Sequence, residues 1–196
     1  MKLITLQTGP IDTNTYLFET ASGVAVVDPG GDADKIVAAA TREFNKPVKF
    51  VLLTHTHYDH TGGVEDLQRQ GAFVYMHNLE LELTKSIFGL FGKVKPDGFV
   101  CASKHLDLDG VPVEVLHTPG HSAGSVCYIV GDNLFSGDTL FKEEVGRCDL
   151  PSGDFPTMKK SLKQIFNLKH SYKILPGHGE TSTLDFERKN NRYAII

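Results

Sequence analysis

Cysteine, long apolar runs and positive charge are all scarce in these 196 residues. The three cysteines, Cys101, Cys127 and Cys148, are odd in number, widely spaced and without a Cys-x-x-Cys pair. That pattern suits a reducing compartment, so a cytoplasmic location is expected, with each cysteine a small buried hydrophobe. No stretch approaches the roughly 18–20 apolar residues of a membrane span. The start, residues 1–7, lacks the apolar run of roughly 7–15 residues that a secretory signal needs. No membrane partner is therefore expected. Lys and Arg number 20 against 24 Asp and Glu, a net charge of −4 that gives no broad nucleic-acid-binding face. Linkers, low-complexity tracts and exact repeats are missing too. What remains is globular: 40% hydrophobic, 22% charged, and a length that fits one domain, 1–196, around one large core. The oligomeric state does not follow from the sequence.

Hydrophobic patterning divides the chain into two similar halves. Residues 3–8, 15–19 and 24–28 are short β-rich runs separated by turn residues. Asp32 is placed to cap a helix over 33–44 that carries Ile36, Val37, Ala40 and Phe44 on one face. Residues 48–53 form a fully apolar strand, and 61–70 read as a short helix with Val64 and Leu67 inward. Strands are expected again at 72–76 and 111–116. A hairpin joins 125–130 to 133–136 through Gly131-Asp132. A helix over 155–168 turns Met158, Leu162, Ile165 and Phe166 inward, and a last strand ends at Ile174-Leu175. Two groups of strands, each followed by helices, predict two sheets packed face to face with helices outside. Residues 79–105 fit two readings, core or a flap over a site. Residues 180–196 read as one helix carrying Arg188, Lys189 and Arg192.

The nine histidines say more than the net charge. Five of them fall in Gly-, Asp- or Thr-flanked segments just after apolar runs, at strand ends where sites are usually built. The segment Thr54-His55-Thr56-His57-Tyr58-Asp59-His60 has donors two apart, which face one way at the end of a strand. Thr61-Gly62-Gly63 then lets the chain turn and carries Asp59 and His60 to a neighbouring point. His121 lies in the tight segment His117-Thr118-Pro119-Gly120-His121. Asp138 follows the run 133–135, and its two oxygens can bridge two cations. His178 follows 173–175 in Pro176-Gly177-His178-Gly179. His117 reads as a hydrogen-bonded structural histidine rather than a ligand. Imidazole and carboxylate donors suit zinc, iron or manganese.

His55-x-His57-x-Asp59-His60, then His121, Asp138 and His178, resembles the full ligand set of the metallo-β-lactamase superfamily. With Val27-Asp28-Pro29-Gly30, the likeness spans nearly the whole chain. It implies an α/β fold, a four-layer αββα sandwich with the site at one edge. It assigns His55, His57 and His121 to a first divalent metal ion. Asp59, His60 and His178 go to a second, with Asp138 bridging and zinc the expected metal. Asp28 is implied to support the ligands or form a turn. Within the superfamily the chain is similar to short glyoxalase-II-like proteins, through Gly137-Asp138-Thr139-Leu140-Phe141 and Gly146-Arg147-Cys148-Asp149. A Ser or Thr is expected where Cys148 stands, and Arg147 and Asp149 are expected to pair. The implied activity is hydrolysis of S-lactoylglutathione-type hydroxyacyl thioesters by a metal-bridging hydroxide, with Asp59 and Asp138 the catalytic carboxylates. The implied partner is a small-molecule thioester. A thiolate leaves without protonation because its thiol pKa is only about 8.5, whereas an amine needs a proton donor. Lys142, Phe88 and Phe91 are the candidate substrate contacts. No separate C-terminal helical glutathione-binding domain is expected, and broad tolerance of the thiol carrier follows from that. The rival readings are a mono-iron persulfide dioxygenase of the same superfamily, a lactonase, and a metal-binding scaffold module without activity.

Overall fold

The computed structural model describes residues 1–85, 89–101 and 105–194. Two six-stranded sheets dominate it. The first runs β1 (Leu3–Thr8), β2 (Thr13–Glu19), β3 (Val24–Val27), β4 (Val48–Leu52), β5 (Phe73–His77) and β6 (Gly98–Val100) in spatial order. Its first two pairings are antiparallel and the other three parallel. In the second sheet β7 (His105–Leu108), β8 (Val111–His117), β9 (Val126–Val130) and β10 (Asn133–Gly137) are antiparallel neighbours. Beyond β10 lie β13 (Lys173–Pro176), parallel to it, and β14 (Ser182–Thr183) at the edge. A small ribbon, β11 (Leu140–Phe141) with β12 (Glu144–Val145), follows β10.

Side-chain alternation builds the layers. In β2 and β3, Tyr16, Phe18, Ala25 and Val27 enter the core between the sheets, against Val115, Tyr128 and Phe135 of the second. The intervening Leu17, Val24 and Val26 face outward, where α1 (Ala33–Phe44) covers them with Ile36 and Ala40, and α3 (Val64–Arg69) with Leu67. Every residue of β3 is buried because both of its faces are covered. On the far side, Leu134 and Ile129 pack under Met158, Leu162 and Ile165 of α5 (Phe155–Phe166) and Leu184 of α6 (Leu184–Asn190). The result is helix, sheet, sheet, helix, the αββα order the sequence predicts. No helix among the described residues is long and apolar enough to cross a membrane.

Some local expectations need correction. Asp32 does not cap α1: it adopts φ 51°, and its carboxylate accepts the Gly9 N–H at 3.0 Å. The helix expected over 61–70 is two, α2 (Tyr58–Thr61) and α3, broken at Gly62-Gly63. A Cβ on Gly62 would sit 2.3 Å from the Gly30 carbonyl oxygen, so close passage of two backbones selects glycine there. Residues 180–196 are not one helix, since β14 precedes α6. The segment 79–105 contains α4 (Glu80–Leu83), β6 and the start of β7. Its residues 90–92 are tied to the histidine segment by Tyr58 N–H to Leu90 O at 3.0 Å and Gly92 N–H to Thr56 O at 2.8 Å.

Candidate metal centre

Five strand ends converge at one edge of the sandwich. β3 runs into Asp28, β4 into residues 53–60, β8 into the turn holding His121, β10 into Asp138 and β13 into His178. Three overlapping donor groups form there: His55, His57 and His121; His55, His60 and Asp138; Asp59, His60 and His178. Within each group the donor atoms lie within 4.8 Å of one another. His178 Nε2 is 3.0 Å from Asp59 Oδ2, and His60 Nε2 is 3.2 Å from that same oxygen. Asp138 stands between the groups, 3.4 Å from His60 Nε2 and 3.6 Å from His121 Nε2. Donors about 2.0–2.1 Å from a tetrahedral ion lie roughly 3.3 Å from each other, so these spacings match the edges of such a shell.

Neighbouring groups decide which ring nitrogen keeps its lone pair. His60 Nδ1–H donates to Asp28 Oδ2 at 3.0 Å, which leaves Nε2 bare. Asp28 also accepts the Thr54 N–H at 2.8 Å and the Thr54 hydroxyl at 2.7 Å. With that hydroxyl proton engaged, Thr54 Oγ1 accepts from His55 Nδ1–H at 3.1 Å, and His55 Nε2 is bare too. His121 Nδ1–H donates to the Arg147 carbonyl at 2.8 Å. Its own Nε2 faces His57 Nδ1 at 2.8 Å, a contact that needs a proton or a cation between the nitrogens. His55 Nε2, His57 Nε2, His60 Nε2 and Asp138 Oδ1 are buried without any hydrogen-bond partner. Buried polar atoms left unpaired cost about 1–3 kcal/mol each. A divalent cation among His55, His60 and Asp138 would satisfy three of these four atoms, so the residues present fit a metal.

Backbone geometry keeps the floor of the site open. Asp28 is held at φ 50°, an uncommon setting for a residue with a side chain, and this aims its carboxylate at Thr54 and His60. A Cβ on Gly177 would lie 2.2 Å from Asp138 Oδ1 and 2.6 Å from His60 Cε1. Only glycine lets β13 pass beneath the donors.

The electrostatics differ between the two ends. Burial, followed by the neighbouring His60, His57 and His121, pushes the His55 pKa well below its usual value. Burial and His121 take His57 down to about 3. Asp59 is held below the usual carboxylate range: burial opposes this, but the hydrogen bond from His178 and the nearby His60 ring outweigh it. Asp138 is lowered against burial by His60, His121 and His178. Burial would lower His60, yet Asp138 and Asp28 hold it well above the usual value. The carboxylates therefore demand positive charge at one end, while burial keeps His55 and His57 neutral at the other.

The other expected residues are distributed as follows. Phe91 is buried and stacks on His57, ring centroids 4.8 Å apart. Phe88 lies outside the described residues. Lys142 is at the surface in an ion pair with Glu180. Arg147 and Asp149 pair through two bonds, of 2.7 and 2.8 Å, beside the carbonyl that orients His121. His117 donates from Nε2 to the Ala123 carbonyl at 2.9 Å and stacks on His77, outside the donor groups found among the described residues. One residue escaped the sequence reading. Glu80 is wholly buried between the His55–His60 and His121 loops. In the string Glu-Leu-Glu-Leu of α4 it looks like an ordinary solvated helix carboxylate.

The sequence profile described as the Metallo-beta-lactamase superfamily matches residues 8–178. Hydroxyacylglutathione hydrolase GloC of Haemophilus influenzae is 30% identical over 91% of this chain and 91% of its own length. Among solved structures, BLEG-1 B3 metallo-beta-lactamase superposes with a TM-score of 0.89 at 32% identity, covering 100% of both chains. A protein crystallised in a di-iron-bound form gives 0.83 at 35% identity, covering 97% of this chain and 99% of its own. The matched profile, the shared αββα order and the His/Asp groups at the sheet edge lead to one assignment: this chain belongs to the metallo-beta-lactamase superfamily.

Proposed function

We propose that the chain hydrolyses hydroxyacyl thioesters of the S-lactoylglutathione type, at a centre of two divalent ions. One observation carries the reading: two donor groups, His55/His57/His121 and Asp59/His60/His178, lie on either side of a shared carboxylate, Asp138. Zinc is the first choice, and iron or manganese suit the same donors. Paired divalent ions lower the pKa of water toward neutrality and polarise a carbonyl oxygen. The protein supplies the rest. Asp28, Thr54 and the Arg147 carbonyl fix the tautomers of His60, His55 and His121. Asp138 offers one carboxylate oxygen to each group, Oδ1 toward His60 and Oδ2 toward His121. Phe91 covers one face of His57 and keeps water from it.

The likeness to GloC supports thioester hydrolysis, and that to BLEG-1 favours a second reading, lactam hydrolysis. Leaving-group chemistry separates them: a thiol with a pKa of about 8.5 departs as thiolate, whereas an amine must be protonated. The partner is a small thioester, with neither nucleic acid nor membrane involved.

The test combines elemental analysis of protein purified without chelator with turnover of S-lactoylglutathione, an aryl ester and a β-lactam. Two metal equivalents per chain and the highest kcat/KM on the thioester are expected. One equivalent after reconstitution, with oxygen uptake on a persulfide, would replace this reading by the dioxygenase. A higher kcat/KM on the lactam would replace it by the lactamase.

A further inference from the structure

Glu80 opens α4, a helix of four residues, yet no part of it reaches solvent. Its carboxylate accepts four hydrogen bonds, divided evenly. Oε2 takes the Thr56 N–H at 2.8 Å and the Thr56 hydroxyl at 2.7 Å. Oε1 takes the Ser122 hydroxyl at 2.7 Å and the Gly124 N–H at 2.8 Å. Thr56 lies between His55 and His57, and Ser122 follows His121. One oxygen therefore serves each loop, and the carboxylate spans the gap between them. A Cβ on Gly124 would sit 2.7 Å from Oε1, so glycine is what lets the second loop come this close.

The two loops meet at the contact between His57 Nδ1 and His121 Nε2, 2.8 Å apart. Asp59 and His60, although in the same segment as His57, are anchored elsewhere. Thr13 donates its hydroxyl to the Asp59 carbonyl at 2.9 Å, and Asp28 holds the His60 ring. His178 is reached from β13, whose end is held to β2 by Asn14, through bonds to Pro176 O, Gly177 O and Gly179 O, and by the Tyr16 hydroxyl, which donates to Pro176 O at 2.7 Å. The Glu80 bonds that hold the His57 and His121 loops are thus separate from the supports of Asp59, His60 and His178, while Asp28 serves His55, through Thr54, and His60 alike.

We infer that Glu80 is a positioning residue of the three-histidine site, fixing the spacing of His57 and His121 and hence that site's affinity for its metal, while the Asp59/His60/His178 site is left intact. This rests on the two-ion reading given above. Four donors converge on two oxygens, which only a carboxylate can satisfy. In Glu80→Gln an amide N–H₂ must face one loop's N–H and hydroxyl, so that loop is released. Glu80→Asp is one methylene too short to reach both loops. Removal of such a support from a metal ligand typically weakens binding about 10- to 100-fold.

The experiment titrates chelator-stripped wild-type protein, Glu80→Gln and Glu80→Ala with Zn(II) against a competing chromophoric chelator, with Co(II) absorption as an independent view of each site. Glu80→Gln is expected to lose about 10- to 100-fold in affinity for one equivalent and to keep the other at the wild-type value. In a His57→Ala background, Glu80→Gln should then change nothing further at the remaining equivalent. If the Glu80 variants fail to fold, Thr56→Val and Ser122→Ala each remove one donor, and each should weaken the same equivalent in the same direction. Wild-type affinity at both sites in these variants, or equal loss at both, overturns the inference. Wild-type protein that takes up only one ion overturns the two-ion reading and this inference together.

Discussion

A neutral imidazole carries a single lone pair, and the neighbour of its other nitrogen decides where that pair points. At His60 the neighbour is Asp28, at His55 it is Thr54, and at His121 it is the Arg147 carbonyl. Each leaves Nε2 free toward the same space. Replacing single donors should therefore act on one group at a time. His55→Ala is expected to empty the three-histidine group first and Asp59→Ala the other; under the proposed two-ion thioesterase, in which both ions would share one water, each would cut thioester turnover by about 100-fold or more. Metal analysis alongside kcat checks this, and near-normal turnover by Asp59→Ala with one metal bound would show that group to be dispensable. Away from the donors, His77 adds to acid sensitivity. Burial, then the stacked His117, lowers the His77 pKa to about 4 from the ordinary 6.5. The unfolded chain takes up a proton near 6.5 and the folded chain only near 4. His77 thus contributes stability that is complete above pH 6.5 and declines as pH falls toward 4. Denaturant unfolding at pH 7.5 and 4.5 should show a smaller acid loss in His77→Phe than in the wild type. An equal loss would exclude His77 as a source of the acid sensitivity.

At the scale of elements, most of the site is built where strands stop. A strand end delivers a side chain with the precision of the sheet, and the loop beyond it is free to turn. Caps show how local signals succeed and fail. Asp154 precedes α5 in extended conformation, and its carboxylate accepts the Thr157 N–H at 2.8 Å. Asp32 before α1 has the same chemistry but is drawn to Gly9, because α1 begins where the β3 loop passes the β1–β2 turn. Asp154→Ala should cost about 1 kcal/mol, the usual worth of a cap, read as a lower urea midpoint with an unchanged slope. A midpoint within error of the wild type would mean that water replaces the bond.

For the whole molecule, the sandwich core and the site depend on each other. Phe135 stacks against Phe18 and meets Tyr16 edge-on in the middle of the inter-sheet core, one strand end away from Asp138. The two sheets also meet at the site, where Asn14 of β2 bonds to Pro176 and Gly179 of the β13 end. A metal held by donors from both sheets binds only the folded arrangement, so it stabilises by mass action. At free metal near 100 times Kd the gain is about 2.7 kcal/mol. Chelation should lower the Tm, and stoichiometric Zn(II) should restore it. A Tm indifferent to chelator would mean that donors from the two sheets do not share the ions.

The sequence by itself determined the layer order and the donor set. Alternation in Thr13–Glu19 and Val24–Val27, together with the helical face of Ala33–Phe44, dictates which side chains face which layer. Residue chemistry and spacing in His55–His60 reveal the donors, because metal-binding side chains are few and local geometry at a strand end is short-range. The family resemblance already implied how they are grouped; tertiary structure alone decided which ring nitrogen each presents and what holds the loops. Glu80 reaches Ser122 and Gly124 across more than forty residues, Asp28 reaches His60 across 32, and Asp32 leaves its helix for Gly9. Sequence also gives no sign that Gly62 and Gly177 mark close passages rather than simple turns. Hydrogen bonds and close contacts between distant segments exist only after the sheets have packed, so no local pattern along the chain encodes them.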